Sequence, residues 1–514
     1  MTKYPSLCFV PLMLVMSIFK LATCFSPRLQ PSTIPKTTYM NAADSNDKSM
    51  EDPSNSLPLI IPTKRVPIHL YTTLDEVEGA ALDQLKRLAE SPIPTDYVSA
   101  MPDVHWGKGV TIGTVFASEK YVCPNAVGVD IGCGMAWVPF DDLYKDDLPN
   151  DAKNDIQQLL KERIPTGSNW YKSPLPGTKE RLDKIEAEVE PTPFLRSILT
   201  EDRTMNQLGT LGGGNHFLEI VNEEKTGRIG IMLHSGSRGL GNRCATHYDK
   251  VARALLEKQG ADTEALNGLN YMLIESEEGQ NYLKDMEFCQ RYAFENRAAM
   301  KKTMLDVVQE VTGRQALMDE AINIHHNYCT CESCGDKKLW VTRKGATSAK
   351  NGEMGIIPGS MGTGSYITRG RGNPLSWSSS SHGAGRRMSR KQANEKISQE
   401  DFEASMKGVV CDTDPQVRDE APQAYKDLNV VMENQRSLTD IVHRLLPLVN
   451  VKGIEKPRAW QISKEDKIKK LKKRKIEQLA SLEKAQKMSN PGKKARSMAA
   501  LAEIEEKLKT LEAE

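Results

Sequence analysis

The stretch RIGIMLHSG (Arg228–Gly236) decides how this chain is read. It is a short apolar run of strand length, punctuated by glycine, and it stops at a histidine set among small residues. A second run of the same kind, GVTIGTVFA (Gly109–Ala117), precedes it, and a helical pattern occupies Asp285 to Gln309. From Tyr71 to about Leu448 the chain goes on mixing glycine-punctuated runs with helical stretches. No repeat of fixed period appears, which argues against a solenoid or propeller. The expected fold class is α+β: a single large mixed α and β domain, opened by LIIPTKRVPIHLY (Leu59–Tyr71) and running over residues 59–453.

A chain of 514 residues has room for a sizeable core. With 39% hydrophobic and 27% charged residues it has the composition of a soluble protein, and a formal net charge of +1 gives no bulk attraction to polyanions. Any nucleic-acid binding has to come from local patches. Ten cysteines follow no regular framework, and several sit in glycine-rich motifs, which points to metal binding or chemistry rather than disulfide stapling.

Both ends of the chain differ from its middle. LCFVPLMLVMSIF (Leu7–Phe19) is too short to span a bilayer comfortably and has the character of a signal-peptide core, assigned to residues 1–24 with cleavage before Phe25. Residues 25–58 are rich in Ser, Thr and Pro, with no acidic residue before Asp44, and look like a transit peptide. A signal joined to a transit peptide with Phe at the junction resembles the presequence that delivers proteins to plastids of secondary endosymbiotic origin. The alternative is a plain secretory signal with a disordered linker, and hence the endoplasmic reticulum or secretory route. On either reading the mature protein is expected to have no stable membrane association. Residues 454–514 form a basic tail, expected as two helices joined by the SNPG turn. Leu501, Ile504, Leu508 and Leu511 make an apolar seam that could pack on the first helix or on a protein partner. The cluster from Lys467 to Lys475 could touch phosphates or could simply be a solvated face.

The chain has nine histidines, and most lie in glycine-rich or polar motifs. NAVGVDIGCGMAW (Asn125–Trp137) places Asp130 and Cys133 three apart, LGTLGGGNHFLEI (Leu208–Ile220) holds His216, LHSGSRGLGN (Leu233–Asn242) holds His234, and INIHHNYC (Ile322–Cys329) adds His325 and His326. A thiolate, a carboxylate and several imidazoles suit a divalent transition ion such as manganese, iron, cobalt or zinc, and the soft sulfur can bridge two ions. GIIPGSMGTGSY (Gly355–Tyr366) and WSSSSHGAGR (Trp377–Arg386) look built to bring backbone N–H groups close to phosphate. Neither is a P-loop, and no G-x-G-x-x-G follows a strand, so ordinary nucleotide folds are disfavoured. A metal cluster, anion-binding loops and the isolated His382 together suggest attack by imidazole on a metal-held phosphate.

In order, MPDVHWGKGVTIG (Met101–Gly113), DIGCG, GGGNHF, HSGSRG, HHN, RKGAT, PGSMGTGSY and SHGAGR resemble the RtcB family of RNA-splicing ligases, over roughly Leu59 to Gly453. The resemblance implies a GTP- and manganese-dependent RNA ligase of tRNA splicing or RNA repair. Such an enzyme joins 3′-phosphate or 2′,3′-cyclic phosphate ends to 5′-hydroxyl ends through a histidine–GMP intermediate. It makes His382 the nucleophile and makes Asp130, Cys133, His216, His234 and His326 the ligands of two manganese ions, with Cys133 bridging. It lines the nucleotide site with Asn215, His216, Phe217, Leu218, Glu219, His326, Asn327, Pro358, Gly359, Ser360, Met361, Ser365, Gly383, Ala384 and Gly385. The shorter matches AYKD and VNVKG bring Tyr425 over guanine and Lys452 onto the nucleotide. Arg238 is placed to hold an RNA phosphate bidentately.

The chain departs from that pattern in YCTCESCGDKKLW, where Cys329, Cys331 and Cys334 form a C-x-C-x-x-C array. Three thiolates lack a fourth ligand for structural zinc, so surface cysteines are expected. The alternative function is a metal-dependent phosphoesterase that acts on RNA ends without joining them.

Overall fold

The computed structural model describes residues 57–453 and, within the tail, part of residues 468–509. The expected signal peptide and nearly all of the transit-like segment lie outside the described residues.

Arg228–Ser235 is a strand of a seven-stranded sheet ordered Ile322–His325, Gly134–Tyr144, Arg228–Ser235, Phe217–Glu223, Thr439–Lys452, Ser365–Gly370, Met354–Pro358. Every neighbouring pair in it is antiparallel. The two-residue alternation of a strand sends Ile229, Ile231 and Leu233 to one face, where they pack with Ala136, Val138, Leu218 and Ile220. Helices Asn150–Arg163 and Glu277–Thr312 close that core with Ile156, Leu160, Met300 and Met304. The other face carries Met135, Trp137, Phe217 and Met232. The strand is buried on both faces, which is why it reads as a nearly continuous apolar run.

The helical pattern at Asp285–Gln309 lies within a helix that is longer at both ends, Glu277–Thr312. The Ser276 side chain accepts from the Gly279 N–H at its start, and Gly313 ends it at φ 73°. A six-stranded sheet runs Leu59–Ile61, Ile68–Leu70, Thr95–His105, Ile112–Ser118, Lys337–Lys344, Asn327–Cys334. The chain passes from the first sheet to the second between His325 and Asn327, so His326 sits at the crossover. The fold is thus a large mixed α and β domain, as expected.

Within Asn327–Cys334, Cys329 is buried, Cys331 exposed and Cys334 half-buried. They join no metal-capable group among the described residues. In the tail, the described positions within 468–482 and 497–509 are helical. Leu501, Ile504 and Leu508 are buried, and Lys475 Nζ pairs with Glu505 at 2.7 Å, linking the two stretches. Leu511, the SNPG turn and most of the Lys467–Lys475 cluster lie outside the described residues. Among the described residues no helix is long and apolar enough to cross a membrane.

Candidate active site

Strand register gathers the metal-competent side chains at one end of the seven-stranded sheet. His234 lies opposite Met135 on one side and Phe217 on the other. His216 immediately precedes Phe217–Glu223, Cys133 precedes Gly134–Tyr144, and His326 follows Ile322–His325 with its N–H on the Cys133 carbonyl at 2.8 Å. That approach needs glycine at 134, because a Cβ there would stand 1.9 Å from the Ile324 carbonyl oxygen. Two triads result, Asp130–Cys133–His216 and Cys133–His234–His326, with the ligand atoms of each within 4.8 Å of one another. Cys133 Sγ belongs to both, 3.4 Å from His216 Nε2 and 3.2 Å from His234 Nε2.

The surroundings prepare these groups as donors. His216 Nδ1 faces the Leu211 carbonyl at 2.9 Å and His234 Nδ1 the Asn215 carbonyl at 3.2 Å, which places a proton on each Nδ1 and directs both Nε2 atoms into the cluster around Cys133. Burial, then neighbouring imidazoles, hold His234 and His326 well below the ordinary histidine range, so both are neutral. Burial would raise the Asp130 carboxyl, but its 2.9 Å contact with His216 outweighs this and keeps it low. Burial and the Asp130 charge push the Cys133 thiol well up. A cation between the triads would reverse that shift. One thiolate, one carboxylate and three imidazoles therefore fit two divalent transition ions sharing a sulfur. His325, the other member of the pair, turns away toward the Gly132 carbonyl at 2.8 Å and Arg297. Arg297, fully buried on the long helix, donates to the Gly132 and Ser235 carbonyls at 2.8 and 3.1 Å, tying the DIGCG turn to the His234 strand.

His382 has a partner that its sequence neighbourhood does not contain. Its Nδ1 lies 2.7 Å from Oδ2 of Asp103, a fully buried carboxylate on Thr95–His105 that also accepts the His382 backbone N–H at 3.2 Å. Asp103 Oδ1 has no hydrogen-bond partner among the described residues. Gly385, at φ 72°, lets the loop lie on this strand; a Cβ would meet the Asp103 carbonyl oxygen at 2.3 Å. With Nδ1 held by the carboxylate, Nε2 is the free nitrogen. The serines before His382 do not form an anion cradle. Ser379–Ser381 is a buried strand paired with Ala346–Ser348, with Ser379 Oγ bonded to Arg343 and Ser380 Oγ to Thr347.

His382 lies between two cavities. A larger one of about 580 Å³ is lined by Asn215, Phe217, Glu219, Pro358, Gly359, Ser360, Met361, Ser365, Gly383, Ala384, Gly385, Tyr425 and Lys452, all expected at the nucleotide. A smaller one of about 260 Å³ is lined by Asp130, Cys133, His326 and Asn327. Both include Asn215, Ile112 and His382. Leu218 lines neither, because alternation along its strand turns it into the helix-covered core. Arg238, at the start of helix Arg238–Lys258, donates to Thr210 Oγ1 at 3.0 Å and the Gly167 carbonyl at 3.1 Å. Sequence reasoning assigned no role to His105, Arg386, Arg390 or Glu420, which also line the large cavity. Glu420 accepts from Lys452 Nζ and Tyr425 Oη, both at 2.7 Å, and from Arg386 at 3.2 Å. Burial raises its carboxyl, but Lys452, Arg390 and Arg386 outweigh this and hold it far below the usual range.

A mixed α and β scaffold thus presents two triads that could each hold a metal ion and a carboxylate-held histidine between two cavities. The family model described as tRNA-splicing ligase RtcB matches residues 84–453. The chain is 37% identical to the RNA-splicing ligase RtcB of Escherichia coli K12, over 77% of this chain and 99% of that protein. It is 31% identical to RNA-splicing ligase RtcB homolog 1 of Entamoeba dispar, over 69% of this chain and 78% of that one. It is 30% identical to the tRNA-splicing ligase RtcB of Methanococcus maripaludis, over 76% and 95%. The chain belongs to the RtcB family.

Proposed function

We propose that this protein is a GTP- and manganese-dependent RNA ligase that joins 3′-phosphate or 2′,3′-cyclic phosphate ends to 5′-hydroxyl ends. The observation that carries the reading is the position of His382: its Nδ1 is held by Asp103, and its ring borders both the metal triads and the large cavity. Asp130, Cys133 and His216 would hold one manganese ion and Cys133, His234 and His326 the other. Bound there, the metal would supply neutralisation of phosphate charge. Nε2 of His382 attacks the α-phosphorus of GTP, a P–N bond forms, and pyrophosphate leaves. Asp103 keeps the Nδ1 proton and offsets the positive charge that the ring gains as Nε2 bonds to phosphorus. An RNA 3′-phosphate oxygen then attacks the same phosphorus and breaks the P–N bond. Finally the 5′-hydroxyl attacks the RNA 3′-phosphorus, sealing the strand and releasing GMP. Arg386, Arg390 and Lys452 converge on Glu420 in a cavity wall that also carries Glu78 and Glu219, so the wall offers an anionic nucleotide local cationic groups rather than a net positive field. Incubation with α-labelled GTP and manganese tests the reading: label retained on the protein supports it, whereas an unlabelled protein that still removes RNA end phosphates would be a phosphoesterase.

A further inference from the structure

Trp106 is 55% exposed, an unusual placement for an indole, and the turn that carries it is held by hydrogen bonds on either side. The turn around it is pinned residue by residue. His105 Nδ1 bonds the Asp103 carbonyl at 2.8 Å. Gln84 holds Gly107 through both its backbone groups, at 2.6 and 3.2 Å. The buried Lys344 ammonium holds the Lys108 and Val110 carbonyls at 2.6 and 2.8 Å. A fixed backbone carrying an exposed aromatic ring is a stacking platform rather than a loose surface side chain.

The ring also stands at a junction. Trp106 lines the large cavity and a third cavity of about 370 Å³, whose other walls include Arg87, Gln84, Lys108 and Asn267. Lys108 lines both that third cavity and the small one beside the metal triads. Its side chain is 65% exposed and its nearest carboxylate, Asp249, is 3.8 Å away. Arg87, at the end of helix Gly79–Glu90, has an NH1 atom that is buried and without a hydrogen-bond partner among the described residues. Arg87 is half-buried and lines this cavity, so its guanidinium offers a phosphate there a positive charge that no carboxylate among the described residues already holds in an ion pair.

We infer that the cavity formed by Arg87, Trp106 and Lys108 is a subsite for the RNA strand, in which one base stacks on Trp106 and the adjoining phosphate lies between Arg87 and Lys108. The inference rests on the RNA-ligase reading above. The subsite shares Trp106 with the large cavity and Lys108 with the small one, on the two sides of His382, and it reads the strand by stacking and charge, without selecting sequence.

The test uses the full chain and fluorescent single-stranded RNA oligonucleotides ending in 3′-phosphate or in 5′-hydroxyl, titrated at several salt concentrations. Arg87→Ala should weaken binding of one of the two oligonucleotides and lower the slope of log affinity against log salt by about one. Trp106→Ala should weaken the same oligonucleotide by about fivefold or more, and Trp106→Phe should restore most of it. An abasic residue at the stacked position should make wild type and Trp106→Ala equal. Wild-type affinity and salt slope in both alanine variants would overturn the subsite. Labelling by α-labelled GTP separates this from failure of the underlying reading: Arg87→Ala should label like wild type, because Arg87 does not line the nucleotide cavity.

Discussion

His382 and Asp103 are 279 residues apart, and their 2.7 Å contact is the pairing on which the proposed chemistry depends. Replacing the carboxylate by an amide of the same size keeps the metal donors but removes the charge that offsets a phosphorylated, cationic ring. Asp103→Asn should therefore lower protein labelling by GTP by about 100-fold or more while leaving bound metal unchanged. Labelling at the wild-type rate would contradict that role. Cys133 makes the opposite prediction, because its sulfur belongs to both triads. Cys133→Ala should reduce bound manganese from two ions to one or none, read by elemental analysis of the purified protein; two ions retained would contradict a shared sulfur. The metal-competent residues were legible in the sequence because Asp130 and Cys133 share one glycine-rich motif, His216 and His234 sit in two others, and His326 stands in the HHN run. Asp103 stood in the quoted MPDVHWGKG motif, but nothing local to either residue says that a strand near the start of the domain meets a loop near its end.

At the scale of elements, strand register does what no motif states. Phe217–Glu223 sends Phe217 and Glu219 to the large cavity and Leu218 to the core, so of the contiguous stretch Asn215 to Glu219 only Asn215, Phe217 and Glu219 line that cavity, His216 facing the Cys133 cluster instead. The serine run before His382 shows the same limit: its composition suggests an anion-binding loop, yet pairing with Ala346–Ser348 makes Ser379–Ser381 a buried strand. Glu219 gives this element a pH signature. Burial pushes its carboxyl up to about 7, and the Asn450 hydrogen bond and the Lys452 charge only partly offset that. Because the folded value lies above the ordinary 4.5, the folded state keeps a proton that the unfolded state releases between those values. Stability should therefore be greatest below about 4.5 as far as this group is concerned, and fall as pH rises through 7, by up to about 3 kcal/mol. Glu219→Gln should remove that component, so urea midpoints at about pH 5 and about pH 8 should differ less in the variant than in wild type. An unchanged pH slope would show that Glu219 does not titrate in this window.

At the scale of the molecule, two sheets meet at His326 and two cavities meet at His382. The order of eight motifs made the mixed α and β class and the family legible, since each motif is a turn or strand end with its own local chemistry. The sheet order was not legible: Thr439–Lys452 inserts between Ser365–Gly370 and Phe217–Glu223, and its pairing with the latter crosses more than two hundred residues, which no local pattern encodes. That insertion is what brings Lys452 to the large cavity. The central claim is that His382 at this junction carries GMP. It is tested most directly by exposing wild type and His382→Ala to α-labelled GTP with manganese and recovering the protein under denaturing conditions. The account predicts label on wild type alone, released by acid and stable in alkali as a phosphorus–nitrogen bond should be; equal label on His382→Ala, or an alkali-labile ester, would contradict it.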